Sequence, residues 1–139
     1  MHVQFTLLAD SATLRPDGRL DATAIGPFSV QAVHFPTSVP EFAVVTRVGF
    51  DVGENDPGKL VVRVYAPNGE IVAERESEVE APPVFATPTT ERTRTRVLNF
   101  YRIPVPVPGV YHVNIRLNDV DFLTRMNFTA EQVEAANNE

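Results

Sequence analysis

The stretch Pro104–Asp119, PVPVPGVYHVNIRLND, is the part of the sequence that most clearly decides the fold. Its second half alternates apolar and polar residues, and this period of two predicts a strand with one buried face. The apolar set is Tyr111, Val113, Ile115 and Leu117, and the polar set is His112, Asn114 and Arg116. The prolines before Gly109 lack amide donors, so they mark a sheet entry or edge. We interpret the polar row as a solvated strand face and not as an active site.

The same alternation recurs along the chain, and turn signals such as Pro16–Gly18 and Asn68-Gly69 separate the segments by about 8–12 residues. This spacing predicts a single all-β domain: an antiparallel β-sandwich of seven to nine strands, immunoglobulin-like or jelly-roll in style. Greek-key and meander orders both remain open. The predicted core consists of Phe5, Leu7, Phe28, Val30, Val44, Val48, Phe50, Leu60, Val62, Val64, Tyr111, Val113, Ile115, Leu117, Phe122 and Phe128.

The end of the chain carries a different signal. Thr129 is followed three residues later by Gln132, which is the pattern of a helix capping box. We therefore expect a short helix from Thr129 to Ala136. The predicted organisation is a β-sandwich over residues 1–128 and a short helix or tail over residues 129–139.

The amino-acid composition indicates which kinds of partner the protein binds and in which compartment it is located. The 139 residues carry a formal net charge of -6 and a pI near 5.0, which argues against nucleic acid or an anionic membrane as the main partner. Cysteine is absent, so disulfides and thiol chemistry are excluded. The amino terminus has no signal-peptide pattern, and no apolar window reaches the length of a membrane span. We expect a soluble, cytoplasmic protein.

Motifs for catalysis or cofactor binding do not emerge. The three histidines, His2, His34 and His112, have no partner at metal-ligand spacing, and neither a phosphate-binding glycine loop nor a Gly-x-Ser-x-Gly elbow occurs. We therefore predict that the protein is not an enzyme and holds no cofactor or metal. Calcium is the alternative, because two turns supply oxygen ligands: Glu54, Asn55, Asp56, Asn118, Asp119 and Asp121. The same residue types are also ordinary turn formers.

Two rows of charge flank a long loop. Glu74, Glu76, Glu78 and Glu80 alternate along one strand, and Arg92, Arg94 and Arg96 alternate along the next. If these strands pair, opposite charges meet across them. The other face of the acidic strand includes Arg75, an inward charge typical of a sheet edge. The two rows have two interpretations: either they balance each other's charge within the fold, or one of them forms a charged stripe that binds a partner.

The loop between these rows, Ala81–Glu91, is long for a sandwich connection and contains three prolines. Within it, Val84 and Phe85 are adjacent large apolar residues, and we predict them as the binding residues. The competing interpretation is that Phe85 plugs the end of its own domain.

Residues Val3–Gly26, with a strand ending in LLAD and an Asp-Gly turn, and the closing Gly-Val-Tyr strand at Gly109–Tyr111 resemble an uncharacterised family of small bacterial all-β proteins. The resemblance implies a β-sandwich and transfers no functional residue. We predict a non-catalytic binding or structural module that acts through a protein partner or self-association. The alternative is a small-ligand or carbohydrate-binding sandwich that uses loop aromatics such as Phe35 and Phe85.

Overall fold

The computed structural model describes residues 1–83, 92–122 and 124–135, and these residues contain strands but no helix. In chain order the first six strands are β1 (His2–Ala9), β2 (Ser11–Leu14), β3 (Leu20–Thr23), β4 (Phe28–Ala32), β5 (Thr37–Phe50) and β6 (Gly58–Tyr65). The remaining strands are β7 (Ile71–Val79), β8 (Arg92–Val105), β9 (Gly109–Leu117), β10 (Val120–Phe122) and β11 (Asn127–Gln132). The all-β prediction is confirmed, and of the eleven described strands nine belong to the two larger sheets.

The strands form three sheets. The first has the order β1-β5-β8, and the second has the order β4-β11-β9-β6-β7, with β10 pairing β9 as well. A small third sheet is the β2-β3 hairpin. The pairings between these described strands are antiparallel with one exception: β11 runs parallel to β4. The wholly antiparallel arrangement expected from the sequence is therefore wrong at this edge.

Residues of the first and second sheets together form a hydrophobic core among the described residues. The ring of Phe42 on β5 stacks on the ring of Phe100 on β8, with 5.0 Å between the ring centroids. The Phe42 ring also contacts the ring of Phe128 on β11, with 5.8 Å between the centroids. Phe128 in turn stacks on Tyr111 of β9 at 5.0 Å. The Tyr111 hydroxyl donates to the carbonyl of Val107 at 2.6 Å, so the buried ring also secures the proline-rich turn before β9.

Most of the predicted core is confirmed, but the two residues assigned to the first strand are wrong. The pairing of β1 with β5 shifts between Val3 and Phe5, which is a β-bulge. Before the bulge Val3 faces the core, and after it Leu8 does, because Leu8 pairs with the core residue Val44. A one-residue bulge reverses the faces of all later side chains. Phe5 is consequently 37% exposed, and its ring contacts the Arg47 guanidinium.

The predicted C-terminal helix is wrong. Residues Asn127–Gln132 form β11, which lies between β4 and β9 and crosses the predicted boundary at residues 128/129. Phe128 and Ala130 are buried while their neighbours are more exposed, which is the period of a strand. Pairing on both sides and burial of Phe128 outweigh a capping pattern that is only local.

The acidic and basic rows do not pair with each other. The acidic strand β7 pairs with β6, where Glu74 binds Arg63 at 2.7 Å, and the basic strand β8 pairs with β5. Strands β7 and β8 are instead the adjoining edges of two different sheets. Guanidinium-to-carbonyl bonds connect these edges: Arg75 donates to Asn99 at 2.7 Å and Arg94 donates to Glu80 at 3.2 Å. The edge position predicted for the acidic strand is confirmed.

Candidate functional site

Several connections meet at one end of the molecule, which we call the loop end and define as residues 51–57, 80–83 and 118–119. The strand pairings place them together: Phe50 at the end of β5 pairs with Arg92 at the start of β8, and Gly58 at the start of β6 pairs with Val79 at the end of β7. Leu117, at the end of β9, lies beside Leu60. Both acidic turns noted in the sequence therefore belong to the same end.

Arg92 is the main organiser of the loop end. Its guanidinium donates to the carbonyls of Glu54 at 2.7 Å and Asp51 at 2.9 Å, and to the side chain of Asn55 at 3.2 Å. A fourth, longer bond reaches the carbonyl of Pro82 at 3.4 Å. The planar five-donor fork of arginine suits such a divided set of acceptors. Arg92 thus joins the 51–57 loop to the root of the segment that follows β7.

Asn118 joins the second turn to the same region. The backbone amide of Lys59 donates to the side-chain oxygen of Asn118 at 2.9 Å. The backbone amide of Asn118 donates in return to the backbone carbonyl of Lys59 at 2.9 Å. Asn118 and Asp119 both have positive φ, 49° and 64°, as in the two-residue hairpin turn that Asn and Asp favour. The turn is therefore held at a fixed position beside β6.

The amino group of Met1 also lies at the loop end. It donates to the carboxylates of Glu54 and Asp51, and the hydrogen bond that it donates to Glu54 is the main cause that raises the pKa of this amino group. The same ammonium lowers the pKa of the Asp51 carboxyl. Glu54 additionally accepts a hydrogen bond from the Asp51 amide at 2.8 Å. These acidic side chains therefore serve contacts within the chain.

A shallow groove of about 450 Å³ opens beside these turns. Its lining consists of Pro57, Gly58, Lys59, Glu76, Ser77, Glu78 and Asn118. The Lys59 ammonium lies 3.5 Å from the Glu76 carboxylate, so the groove carries both signs of charge. None of these seven described residues offers an aromatic ring for stacking on a sugar.

Two exposed valines stand out, one in the loop end and one directly after it. Val52, in the 51–57 loop, is 93% exposed, and Val120, directly after the β9–β10 turn, is 58% exposed. Each is set among acidic residues: Asp51 and Glu54 flank Val52, and Asp119 and Asp121 flank Val120. Val52 follows Asp51, whose carbonyl accepts from Arg92, and Val120 follows the turn that Asn118 secures, so each is an exposed apolar side chain beside a braced loop.

The predicted binding residues Val84 and Phe85 lie outside the described residues. What the structure does place is the two roots of their loop, Pro82 and Arg92, which are hydrogen-bonded to each other at the loop end. Phe35, the other aromatic considered for ligand binding, is partly buried and packs against the core. The missed residue is Arg92: the sequence showed it only as one member of a basic row, with no signal that it braces two loops.

The polar row of β9 lies on the face of the strand opposite the buried residues, as predicted. His112 is exposed, and Arg116 makes two hydrogen bonds to Asp121, at 2.9 and 3.1 Å. Asn114 donates to the same carboxylate at 3.3 Å. The Arg116 guanidinium lowers the pKa of Asp121, and Asp121 raises that of Arg116. This row makes a cross-strand ion pair.

The six oxygen-bearing residues considered for calcium are mostly engaged within the chain. Asn55 accepts from Arg92, Asp121 pairs with Arg116, and Glu54 binds the Met1 amino group. Among the described residues, no group of three or more His, Asp or Glu side chains is arranged to hold a metal ion.

The described residues form an all-β protein with several sheets and a braced set of loops at one end. Comparison with curated proteins returns no match. A family model does match: residues 4–131 fit DUF6941, a family of unknown function, and the chain belongs to this family. The resemblance to an uncharacterised family is thereby confirmed. No helix in the described part of the chain is long and apolar enough to cross a membrane.

Proposed function

We propose that this chain is a non-catalytic binding module, a single β-sandwich formed by the first and second sheets, which makes protein–protein contacts through the loop end. The observation that carries the proposal is the Arg92 network, because it fixes the roots of two loops against each other before any partner arrives. Pre-organised loops lose less entropy on binding.

The side chains at the loop end fit this role. Val52 and Val120 each offer an exposed apolar contact, and the net charge of -6 favours a partner surface that is basic. Val84 and Phe85 remain proposed contact residues, since both roots of their loop are at this end. The absence of cysteine supports a cytoplasmic location.

Quantitative affinity capture tests the proposal. The bait proteins are the wild type, Val52→Asp and Phe85→Ala, with Val107→Asp as the matched control, since Val107 is 42% exposed in the connection between β8 and β9, which is the opposite end. A partner identified in the capture is then purified and titrated. We expect both loop-end variants to weaken its binding by about tenfold or more, which is about 1.4 kcal/mol, and the control to leave it unchanged.

Equal loss in all three variants, or none in any, would contradict the proposal. Phe85→Ala carries a second measurement, because an exposed contact residue leaves the free energy of unfolding within about 0.5 kcal/mol. A loss of about 3–5 kcal/mol would instead identify Phe85 as a core plug and remove it from the contact surface.

The groove beside Lys59 favours a second candidate, the binding of a small polar ligand. Its mixed charges suit a zwitterionic or hydroxyl-rich molecule more than a sugar that requires ring stacking. A thermal-shift screen of small polar compounds and sugars tests this candidate, since a ligand that binds only the folded state raises the midpoint of unfolding. The Lys59→Ala variant should abolish any such rise.

A further inference from the structure

The free edge of strand β4 differs from the other edges of the two main sheets. Strand β7 carries alternating glutamates and is bonded to β8 through arginine side chains, and strand β1 is interrupted by its bulge. Charges, bulges and coverage are the usual means by which proteins protect edges from further pairing. Strand β4 reads FSVQA, with no charge and no proline, and among the described strands only β11 pairs with it.

The hydrogen-bond pattern shows which groups this edge presents. The Ala32 carbonyl accepts from the Val133 amide at 3.0 Å, which continues the parallel pairing with β11. In a strand, the amide and carbonyl of one residue point to the same side, and successive residues alternate sides. The backbone groups of Phe28, Val30 and Ala32 therefore face β11. Those of Ser29 and Gln31, two donors and two acceptors, face the open side.

We propose that this edge pairs with β4 of a second copy of the chain, antiparallel and across a twofold axis at Val30. In this register Ser29 of one copy is opposite Gln31 of the other, and the two residues exchange both of their backbone hydrogen bonds. The twofold axis repeats the exchange, so all four free groups are paired. Val30 then faces its symmetry mate in the closer, non-hydrogen-bonded position.

The side chains agree with this register. Ser29 and Gln31 are exposed and uncharged, so no like charges meet across the pair. Phe28, Val30 and Ala32 are only partly buried on the core-facing side, and a second strand would cover more of them. The isologous contact closes after two copies, which fits a discrete dimer and not a fibre. Because a single short strand buries little area and each copy carries a net charge of -6, the dimer should be weak and strengthened by salt.

Cysteine cross-linking tests the register directly, because the natural chain contains no cysteine. The substitution Val30→Cys places two sulfurs opposite each other at the twofold axis, within the span of a disulfide. The matched control is Ser29→Cys, one residue away, where each introduced thiol faces Gln31 of the other copy. We expect Val30→Cys to form disulfide-linked dimers about tenfold faster or more than Ser29→Cys. Equal rates would overturn the proposal.

A pair of charge variants tests the contact without any cross-link. Both contain Gln31→Lys, and they differ only at the opposing position, Ser29→Lys or Ser29→Glu. In the proposed register the first variant places lysine opposite lysine, and the second places glutamate opposite lysine. Sedimentation at protein concentrations up to about 1 mM, where small interfaces self-associate, should show a monomer for the first and a dimer for the second and for the wild type.

Monomeric wild type over this whole range, or equal association of the two charge variants, would overturn the proposal. Circular dichroism with a thermal melt accompanies each variant, and an unfolded variant is replaced by Gln31→Pro. That substitution removes only an amide that faces the open side and should also abolish the dimer. None of these substitutions touches the loop end, so the outcome is independent of the proposed partner contact.

Discussion

Replacement of Arg92 is the sharpest test of how the loop end is built. In Arg92→Met the aliphatic stem remains while the four guanidinium contacts, to Asp51, Glu54, Asn55 and Pro82, are lost. Two of these bonds are short, at 2.7 and 2.9 Å, and hydrogen bonds from a charged donor contribute about 1.5–3 kcal/mol each. Because parts of the network are solvent-exposed and the two longer bonds are weak, we expect a loss of about 2–3 kcal/mol in the free energy of unfolding.

Urea denaturation followed by circular dichroism measures this loss, with Arg15→Met as the matched control. Arg15 forms an exposed ion pair with Asp21 at 2.5 Å, on the β2–β3 hairpin. An exposed pair contributes about 1 kcal/mol or less, so the control should be nearly neutral. Arg92→Lys should recover only a minor part of the stability, since one ammonium cannot reach four acceptors that are divided between the 51–57 loop and Pro82.

Hydrogen exchange adds a local measurement. Loss of the Arg92 bonds should increase exchange at the Glu54 amide, which donates to the Asp51 carbonyl at 3.1 Å, and leave the β6–β9 ladder unchanged. If Arg92→Met lowers the free energy of unfolding no more than Arg15→Met does, and if hydrogen exchange near Glu54 does not change, then the guanidinium does not brace the loops. The main support for the proposed function would then be lost.

Two further predictions concern the core and pH. Phe42→Ala should lower the free energy of unfolding by about 3–5 kcal/mol, because its fully buried ring contacts both sheets. Phe5→Ala should lower it by only about 0.5–1 kcal/mol, because the bulge leaves Phe5 partly exposed. Equal losses in denaturant unfolding would refute the bulge assignment. For the Arg116–Asp121 pair, the pKa of Asp121 is lowered in the folded state, so its stabilising contribution is present above the ordinary pKa of aspartate and disappears as the pH falls through the lowered value. An NMR titration of the Asp121 carboxyl should place its midpoint below that of an ordinary aspartate, and Arg116→Gln should move the midpoint upward; an unchanged midpoint would contradict the assignment.

The sequence alone was sufficient where the information is local. The alternation from Tyr111 to Leu117 identifies both a strand and its buried face, because side chains of a strand alternate with a strict period of two. The Asn68-Gly69 turn likewise produces the hairpin between β6 and β7, where Gly69 takes the positive φ that the turn requires. Such features depend on a few consecutive residues.

Tertiary structure decided everything that depends on which strands meet. The bulge after Val3 turns Phe5 outward, and it is visible only in the pairing with β5. Strand β11 replaces the expected helix because Phe128 is buried between two neighbouring strands. The acidic and basic rows belong to different sheets. Glu74 of the acidic row therefore pairs with Arg63 of β6, and Arg94 of the basic row donates to a backbone carbonyl. Likewise, the role of Arg92 arises because the 51–57 loop and Pro82 meet it from distant positions in the chain, and no local pattern encodes that meeting.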